Sequence, residues 1–302
     1  MTENKDIFGG CLCAIGCETL FGLSYIFTKQ ATESASEFAL LGWRFLVAAI
    51  VMNLSVIFGF IKINFKGKSM KPLFLVALFS PCLYFIGETI GISKTTASES
   101  GVFLACIPVA ALTASSVILK KKPTKMQTGG VLITLIGIIF TVVALGMDAS
   151  LSISGYLFLL IAVASYAFYS VFVDRASKYT GAEITYIMLA AGAAMFISLA
   201  IIESVCKHNF VNLITLPFVD MNFLIAIFYQ GIGCSVTAFF LSNIAISKIG
   251  VNRAASFIGV STVVSVAAGA FLLNEKFSVY QIIGAAVIII GVYVANTKVK
   301  TQ

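Results

Sequence analysis

Long apolar runs alternate with short polar segments along the whole chain. A helix needs about 20 apolar residues to cross the roughly 30 Å of hydrocarbon in a bilayer. The longest connection between runs, 204–220, is too short to fold alone. We therefore expect an all-α polytopic membrane protein in which residues 1–302 form a single membrane domain. The pattern predicts ten spans, numbered in chain order, at 8–28, 37–60, 72–92, 99–119, 127–147, 153–173, 181–203, 221–246, 253–273 and 279–297.

Composition supports a lipid environment. Apolar residues make up 59% of the 302 positions and charged residues only 11%, against about 25% charged residues in average soluble chains. With a mean hydropathy of +1.02, the chain has too few polar side chains to cover its own surface. The net charge of +7 is spread over short loops and forms no basic domain. We therefore expect the lipid bilayer as a partner, and no nucleic acid.

The distribution of Lys and Arg predicts the orientation of the chain. If the N-terminus is cytoplasmic, fifteen of the twenty basic residues fall in cytoplasmic segments and four in outer segments, while Arg44 lies within span two. Cytoplasmic loops of membrane proteins carry an excess of Lys and Arg. The pattern therefore predicts a multi-pass protein of the cell (cytoplasmic) membrane with both termini in the cytoplasm.

The chain also contains a repeat. Residues 91–138 align without a gap on 245–292, at an offset of 154 positions. Five spans per repeat is an odd number, so the second repeat enters the membrane from the opposite side. We expect a first five-helix repeat at 7–148 and an inverted one at 152–298, with a substrate site between them near the midplane. Matched positions include Ile92/Ile246, Ser93/Ser247, Lys94/Lys248, Gln127/Gln281, Gly130/Gly284 and Gly137/Gly291.

Four stretches of the chain carry a resemblance to a known family. They are ETLFGLSYIFTKQA in span one, RFLVAAIV in span two, ISKTTASESGVFLACIPVAALTAS in spans three and four, and LNEKFSVYQIIGAAVIIIGVYV at the end. In this order they resemble the EamA-type family of the drug/metabolite transporter superfamily. The resemblance implies ten transmembrane helices in two inverted five-helix repeats around a central cavity lined by helices 1, 3, 4, 6, 8 and 9. It also implies transport, mostly export of amino acids, other metabolites or drugs.

Glu18 is the clearest candidate for chemistry. It lies about ten residues into span one, near mid-depth, with no opposite charge within ten residues on either side. A carboxylate at that depth is expensive and usually faces a cavity on a transport pathway. We expect Glu18 to bind a proton or a cation; the alternative is a structural ion pair with Arg44. A lone glutamate in the first helix is also similar to the small multidrug resistance proteins, in which it binds protons and cationic drugs in turn.

Further polar residues lie in the predicted cavity-lining helices. Glu88 lies about four residues from the outer end of span three, so it either lines the cavity or reaches the membrane interface. Tyr84 is one turn away on the same face of the helix. The remaining candidates either contact substrate or form hydrogen bonds between helices; they are Tyr25, Tyr166, Tyr169, Gln230 and Asn243.

Prolines and glycines predict where helices bend and where they touch. Pro108 in span four and its repeat partner Thr262 in span nine mark expected kinks that are useful for gating. Small residues seven positions apart share one helix face and let two backbones approach closely. We expect this packing role for Gly130, Gly137, Gly284 and Gly291.

Several function classes lack the residues that they need. No G-x-x-x-x-G-K-[ST] loop is present, so we expect no ATP-driven transport. The cysteines lie mostly in apolar runs, where they act as small apolar side chains, and we expect no metal and no cofactor. An enzyme needs paired catalytic groups at mid-depth, and only Glu18 qualifies. We therefore predict no catalytic residues and no enzyme activity.

The sequence favours a secondary active transporter. We expect it to export a small molecule such as an amino acid by alternating access, with protons as a further partner if Glu18 couples transport. One alternative is a proton-coupled exporter of cationic drugs that uses Glu18. A second alternative is a membrane receptor or scaffold that transports nothing.

Overall fold

The computed structural model describes residues 2–32, 34–95, 103–104, 106–143, 152–273 and 279–296. Every regular element in these ranges is helical, and we number the helices α1 to α11. Two of them, α3 and α9, contain a central π-helical piece. The helices are α1 (Thr2–Thr32), α2 (Glu37–Ile57), α3 (Lys71–Ala77, Leu78–Leu83 and Tyr84–Lys94), α4 (Ile107–Ile118), α5 (Lys125–Val143), α6 (Ile153–Arg175), α7 (Gly181–Cys206), α8 (Phe210–Val219), α9 (Met221–Phe228, Tyr229–Ala238 and Phe239–Ser256), α10 (Ile258–Leu273) and α11 (Val279–Asn296).

Six of these helices are long and apolar enough to cross a membrane. They are α1, α2, α3, α6, α7 and α9, whereas α4, α5, α8 and α11 contain shorter apolar stretches. The prediction of an all-α membrane protein is therefore confirmed for the described residues. Ten transmembrane helices in two inverted repeats stay a prediction. The predicted boundaries at 148 and 298, and the predicted start of span four at 99, lie outside the described residues.

Polar caps set where several helices begin. The side chain of Ser36 accepts a hydrogen bond from the Ala39 amide at the start of α2. Thr180 and Glu183 form a reciprocal capping box at the start of α7. Such caps satisfy amide groups that have no partner inside the helix. Polar residues between apolar runs thus cap the first turn of α2 and α7.

Helix α8 lies inside the connection 204–220, where the sequence predicted no helix. The indole nitrogen of Trp43 in α2 donates to the carbonyl oxygen of Leu213 at 2.9 Å, which holds α8 against α2. Asp220 then caps α9 by accepting from the amides of Asn222 and Phe223. Hydrogen bonds from the Ser34 hydroxyl and from these amides hold the pKa of Asp220 below its ordinary value. Short polar contacts therefore order a segment that is too small to fold by itself.

Two helices contain non-helical backbone, one inside predicted span three and one in the predicted connection between spans eight and nine. In α3, Ser80 has φ −144° and ψ 123°, next to Pro81; proline lacks the amide hydrogen that a helix interior uses. In α9, Gly250 has φ 78° and ψ 163°. Glycine adopts a positive φ without the steric cost that a Cβ atom brings. Each residue thus divides its helix into two straight parts.

The core between α2, α3, α7 and α9 is aromatic. The Phe45 ring stacks on Phe196 with 5.1 Å between ring centroids and meets Phe85 edge-on at 5.7 Å. Phe239 of α9 packs against the same group, 6.3 Å from Phe45. Phe45 and Phe196 have no exposed surface. This apolar centre connects helices of both predicted repeats and packs directly beside the polar groups described below.

The backbones of α5 and α11 touch at glycine residues. A Cβ atom added at Gly137 would lie 2.8 Å from the Ile288 amide nitrogen and 2.9 Å from the Gly284 carbonyl oxygen. One added at Gly291 would lie 2.8 Å from the Gly130 carbonyl oxygen. Residue numbers rise along α5 as they fall along α11, so the two helices are antiparallel. The structure therefore places all four predicted packing glycines in one contact.

We expect Gly130→Ala to destabilise the protein by about 1–3 kcal/mol, because its methyl group collides with the backbone of Ala295 and overpacking costs that much. The neighbouring Gly129 provides the control, since a Cβ atom there meets nothing within 4 Å. Gly129→Ala should be neutral or stabilise by up to about 1 kcal/mol, as alanine favours helices. Thermal denaturation of both variants in detergent measures the difference. Equal melting temperatures would contradict the close contact.

Candidate functional site

Glu18 is buried in the middle of α1. Its side chain is only 7% exposed, and Ser261 of α10 lies beside the carboxylate. One turn along α1, a Cβ atom added at Gly22 would lie 2.7 Å from the Ser261 carbonyl oxygen. Within the described ranges, Glu18 forms no ion pair at the 4.0 Å limit. Glu18 therefore faces the contact of α1 with α10 and has no basic partner there.

Polar side chains of α6, α7 and α9 form a connected group next to Glu18. The hydroxyls of Tyr166 and Tyr169 lie within electrostatic range of its carboxylate. Tyr169 donates to the side-chain oxygen of Asn243 at 2.8 Å, and the Asn243 amide nitrogen lies 3.0 Å from the Thr185 hydroxyl. Asn243 has no exposed surface, so these bonds satisfy a fully buried amide. The Ser242 hydroxyl lies 3.2 Å from that of Tyr169. We call this group the Glu18 cluster, which comprises Glu18, Tyr166, Tyr169, Thr185, Ser242 and Asn243.

Glu88 and Tyr84 form the pair that their spacing predicted. The Tyr84 hydroxyl donates to a Glu88 carboxylate oxygen at 2.8 Å. The Tyr84 ring lies 6.0 Å from the Tyr166 ring, centroid to centroid, and Glu88 is half-buried. This pair therefore adjoins the Glu18 cluster through Tyr166.

Arg44 is held by α9 and not by Glu18. Its Nε donates to the Ser235 hydroxyl at 2.8 Å, and its Nη1 donates to the Gln230 side-chain oxygen at 3.3 Å. The Gln230 amide nitrogen in turn donates to Thr28 of α1 at 2.9 Å. The ion pair of Glu18 with Arg44, one of the two sequence-based alternatives, is therefore absent from the described part of the chain. We call Arg44, Gln230, Ser235 and Thr28 the Arg44 cluster.

The π-helical piece of α9 explains why the side chains of Gln230 and Ser235 both bind the Arg44 guanidinium group. In a regular α-helix, side chains five positions apart point about 140° away from each other. A π-helix closes each turn between residues i and i+5, and such segments occur frequently at functional sites. Gln230 and Ser235 are five positions apart within Tyr229–Ala238. Both side chains therefore reach the same guanidinium group.

The other predicted residues lie elsewhere. The side chain of Tyr25 is outside the described residues. Pro108 lies in the first turn of α4, where a missing amide hydrogen costs nothing. Thr262 lies inside α10 and accepts a hydrogen bond from the Ser265 hydroxyl through its carbonyl oxygen. In the described residues, the non-helical backbone inside the apolar helices lies at Ser80 and Gly250.

The residues that sequence reasoning did not select are Arg44 as a binding group and its partner Ser235, together with Thr28, Thr185 and Ser242. A signal was present for Arg44, which is the only basic residue in the interior of a predicted span, since Arg253 stands at the first position of span nine. Ser235 and Thr28 gave no such signal, because small hydroxyl residues are common in apolar helices and usually bond to their own backbone.

The arrangement supports binding and proton exchange rather than bond-breaking chemistry. It offers a carboxylate with no counter-charge in the described part of the chain, a second carboxylate held by a tyrosine, and a buried guanidinium group. No set of three His, Cys, Asp or Glu side chains in the searched ranges is arranged to hold a metal ion. Two pockets of about 100 and 270 Å³ lie away from these clusters, one beside α8 and one between α4 and α5. The central cavity stays a prediction.

A comparison with protein families gives two matches to the model of the EamA-like transporter family. They cover residues 8–143 and 153–297, nearly the whole chain. The chain belongs to the EamA-like transporter family. This confirms the resemblance seen in the sequence, and it makes the protein a membrane transporter of a family that acts on small molecules in a lipid environment.

Named relatives agree with this membership. This EamA-like transporter is 32% identical over 293 residues to the uncharacterized transporter YcxC of Bacillus subtilis (strain 168), covering 96% of this chain and 94% of that one. It is 25% identical to a WAT1-related chloroplastic protein of Arabidopsis thaliana, across 91% of this chain and 66% of that protein. A solved crystal structure aligns over 95% of this chain and 97% of its own, with a TM-score of 0.77 and 18% identity. That last likeness shows the fold alone.

Proposed function

We propose that this EamA-like transporter is a secondary active exporter of a small metabolite and that Glu18 couples its transport to protons. It works by alternating access in the cytoplasmic membrane, with both termini in the cytoplasm. The observation that carries the proposal is the Glu18 cluster. A buried carboxylate with no basic partner among the described residues lies beside Ser261 of α10 and within electrostatic range of the α6 tyrosines, and Tyr169 extends this polar group to α9 and α7. Intramembrane carboxylates of this kind mark transport and proton pathways.

Three features support two inverted repeats. The family model matches the chain twice, in consecutive segments. Shifting the π-helical Leu78–Leu83 by the repeat offset of 154 gives 232–237, which lies inside the π-helical Tyr229–Ala238. The glycine contact is also reciprocal: Gly130 meets Gly291, and their repeat partners Gly284 and Gly137 meet each other. An antiparallel, reciprocal contact is what a two-fold axis in the membrane plane produces.

A proton-coupled exporter of cationic drugs is the second candidate, because Glu18 has no basic partner in the described ranges and its carboxylate can balance the charge of a cation. The receptor or scaffold alternative has less support. A scaffold gains nothing from an unpaired buried carboxylate, whose burial costs several kcal/mol by the usual estimates.

The test is transport by the purified protein in proteoliposomes under an imposed pH gradient. We expect uptake of radiolabelled amino acids that collapses when an ionophore removes the gradient. The quaternary cation tetraphenylphosphonium, tested in the same vesicles, represents the second candidate. Cells that overproduce the protein should also retain less of the transported molecule, which tests export. Absence of flux for both classes of probe would contradict the proposal.

A further inference from the structure

Arg44 is a buried cation with an unused donor group. Its side chain is 6% exposed and lies two turns from the start of α2. Nε and Nη1 have partners, but Nη2 has no hydrogen-bond partner among the described residues. Buried polar groups are nearly always hydrogen-bonded, so an exception calls for an explanation. An arginine keeps its charge in proteins, so a buried N–H donor of this group that forms no hydrogen bond costs free energy.

The described chain offers no carboxylate to fill it. No Asp or Glu oxygen in the described ranges lies within 4.0 Å of the Arg44 guanidinium group. Glu88 is within electrostatic range of Arg44, but the Tyr84 hydroxyl occupies one of its oxygens. The two neighbours that do bind Arg44, Gln230 and Ser235, are neutral. Within the described residues, the Arg44 guanidinium group therefore has no carboxylate in direct contact, and Glu88 acts on it only from a distance.

The surroundings of Arg44 fix the plane of its guanidinium group. The guanidinium carbon lies 4.8 Å from the centroid of the Phe85 ring and 5.6 Å from that of Phe45. With Ser235 and Gln230 on Nε and Nη1, the remaining free donors are on the Nη2 side. A planar fork of N–H groups matches the two oxygens of a carboxylate. The group is thus oriented before any ligand arrives.

We propose that Arg44 binds the carboxylate group of the transported molecule. This rests on the proposed transport function and adds its substrate class, a small organic monocarboxylate. When Glu88 is ionised, it disfavours a second negative charge on the ligand, because it lies within electrostatic range of Arg44 and like charges repel. Gln230 and Ser235 orient Arg44, and the aromatic rings of Phe45 and Phe85 exclude water from the contact.

The first experiment measures binding by the purified full-length protein in detergent. The probes are acetate, pyruvate, alanine, leucine and phenylalanine, each compared with its own carboxamide, which keeps the shape but loses the charge. Binding raises the melting temperature with ligand concentration. We expect at least one carboxylate to bind about ten- to hundredfold more tightly than its amide, the range of a charge-assisted bond. If every carboxylate binds no better than its amide, the proposal is wrong.

Variants test whether Arg44 causes the preference for a carboxylate over its amide. Arg44→Gln should reduce the carboxylate-to-amide ratio to about one, while Arg44→Lys, which keeps the charge but not the fork, should keep a reduced preference. Arg253→Gln, the same change near the end of α9, should leave the ratio as in the unmodified protein. An undiminished ratio in a folded Arg44→Gln protein overturns the proposal.

A second readout needs no variant. The arginine reagent 2,3-butanedione, followed by mass spectrometry, should modify Arg44 more slowly in the presence of the preferred carboxylate and at an unchanged rate with its amide. Equal modification rates would also overturn the proposal. Because both readouts detect binding in detergent, they separate failure of this subsite from failure of the proposed transport, which is measured as flux in vesicles.

Discussion

Glu18→Gln is expected to abolish flux driven by a pH gradient, down to the level of protein-free liposomes, while the protein still folds. Glutamine keeps the size and most of the hydrogen bonding of the side chain but carries no exchangeable charge. Among the described residues, the titratable groups in electrostatic range of Glu18 are Cys17, Tyr166 and Tyr169, and none of them is basic. Removing the carboxylate therefore breaks no ion pair. The measurement is uptake into proteoliposomes at several imposed pH gradients.

The control is Glu203→Gln, the same chemical change at the far end of α7, where Glu203 pairs with Lys207 at 2.7 Å. Its flux should keep the pH dependence of the unmodified protein. Melting temperatures of both variants show whether folding is intact. A well-folded Glu18→Gln protein whose flux still follows the pH gradient would assign the glutamate a structural role.

Glu183→Ala is expected to lower the free energy of unfolding by about 3 kcal/mol or more, because it removes several hydrogen bonds to a charged acceptor, each of which contributes about 1.5–3 kcal/mol. Glu183 is 2% exposed. Its carboxylate accepts two hydrogen bonds of 2.8 Å from Lys68 and further ones from the backbone amides of Asn64 and Thr180. It thus joins the connection between α2 and α3 to the start of α7. Thermal denaturation in detergent measures the loss.

Lys68→Ala gives the matched comparison. Lys68 is a quarter exposed, and without it Glu183 keeps its hydrogen bonds to Asn64 and Thr180. We expect Lys68→Ala to cost about 1 kcal/mol, close to the value of partly exposed ion pairs. Should both variants lose the same stability, the backbone contacts of Glu183 contribute nothing and the prediction fails.

Hydrophobicity alone predicted most of the helices. Backbone N–H and C=O groups find no water in lipid, and a helix pairs them by hydrogen bonds within a single segment. The sequence did not predict α8, since Phe210–Val219 is too short to cross a bilayer and its position depends on the contact of Trp43 with Leu213. Nor did it predict the π-helical pieces of α3 and α9. Apolar periodicity does not show an extra residue in one turn.

The candidate site was predicted only in part. Burial of Glu18 and the contact of Tyr84 with Glu88 follow from depth and from helical spacing, which are local properties. The partners of Arg44 are distant in sequence and depend on how α2 packs on α9. No local sequence pattern therefore indicates whether Arg44 binds Glu18 or Gln230. The five-residue spacing of Gln230 and Ser235 becomes meaningful only when the backbone between them is known to be π-helical.

The touching backbones of α5 and α11 leave this helix pair little freedom to change. At Gly137, even one added carbon atom would lie 2.8 Å from a backbone nitrogen of the opposite helix, so neither helix can slide past the other without first separating. Any rearrangement that exposes Glu18 or Arg44 to alternate sides must therefore displace other helices around this pair. The pair α5 and α11 thus provides a fixed internal reference for distance measurements, against which displacements of α1, α6 and α9 can be followed.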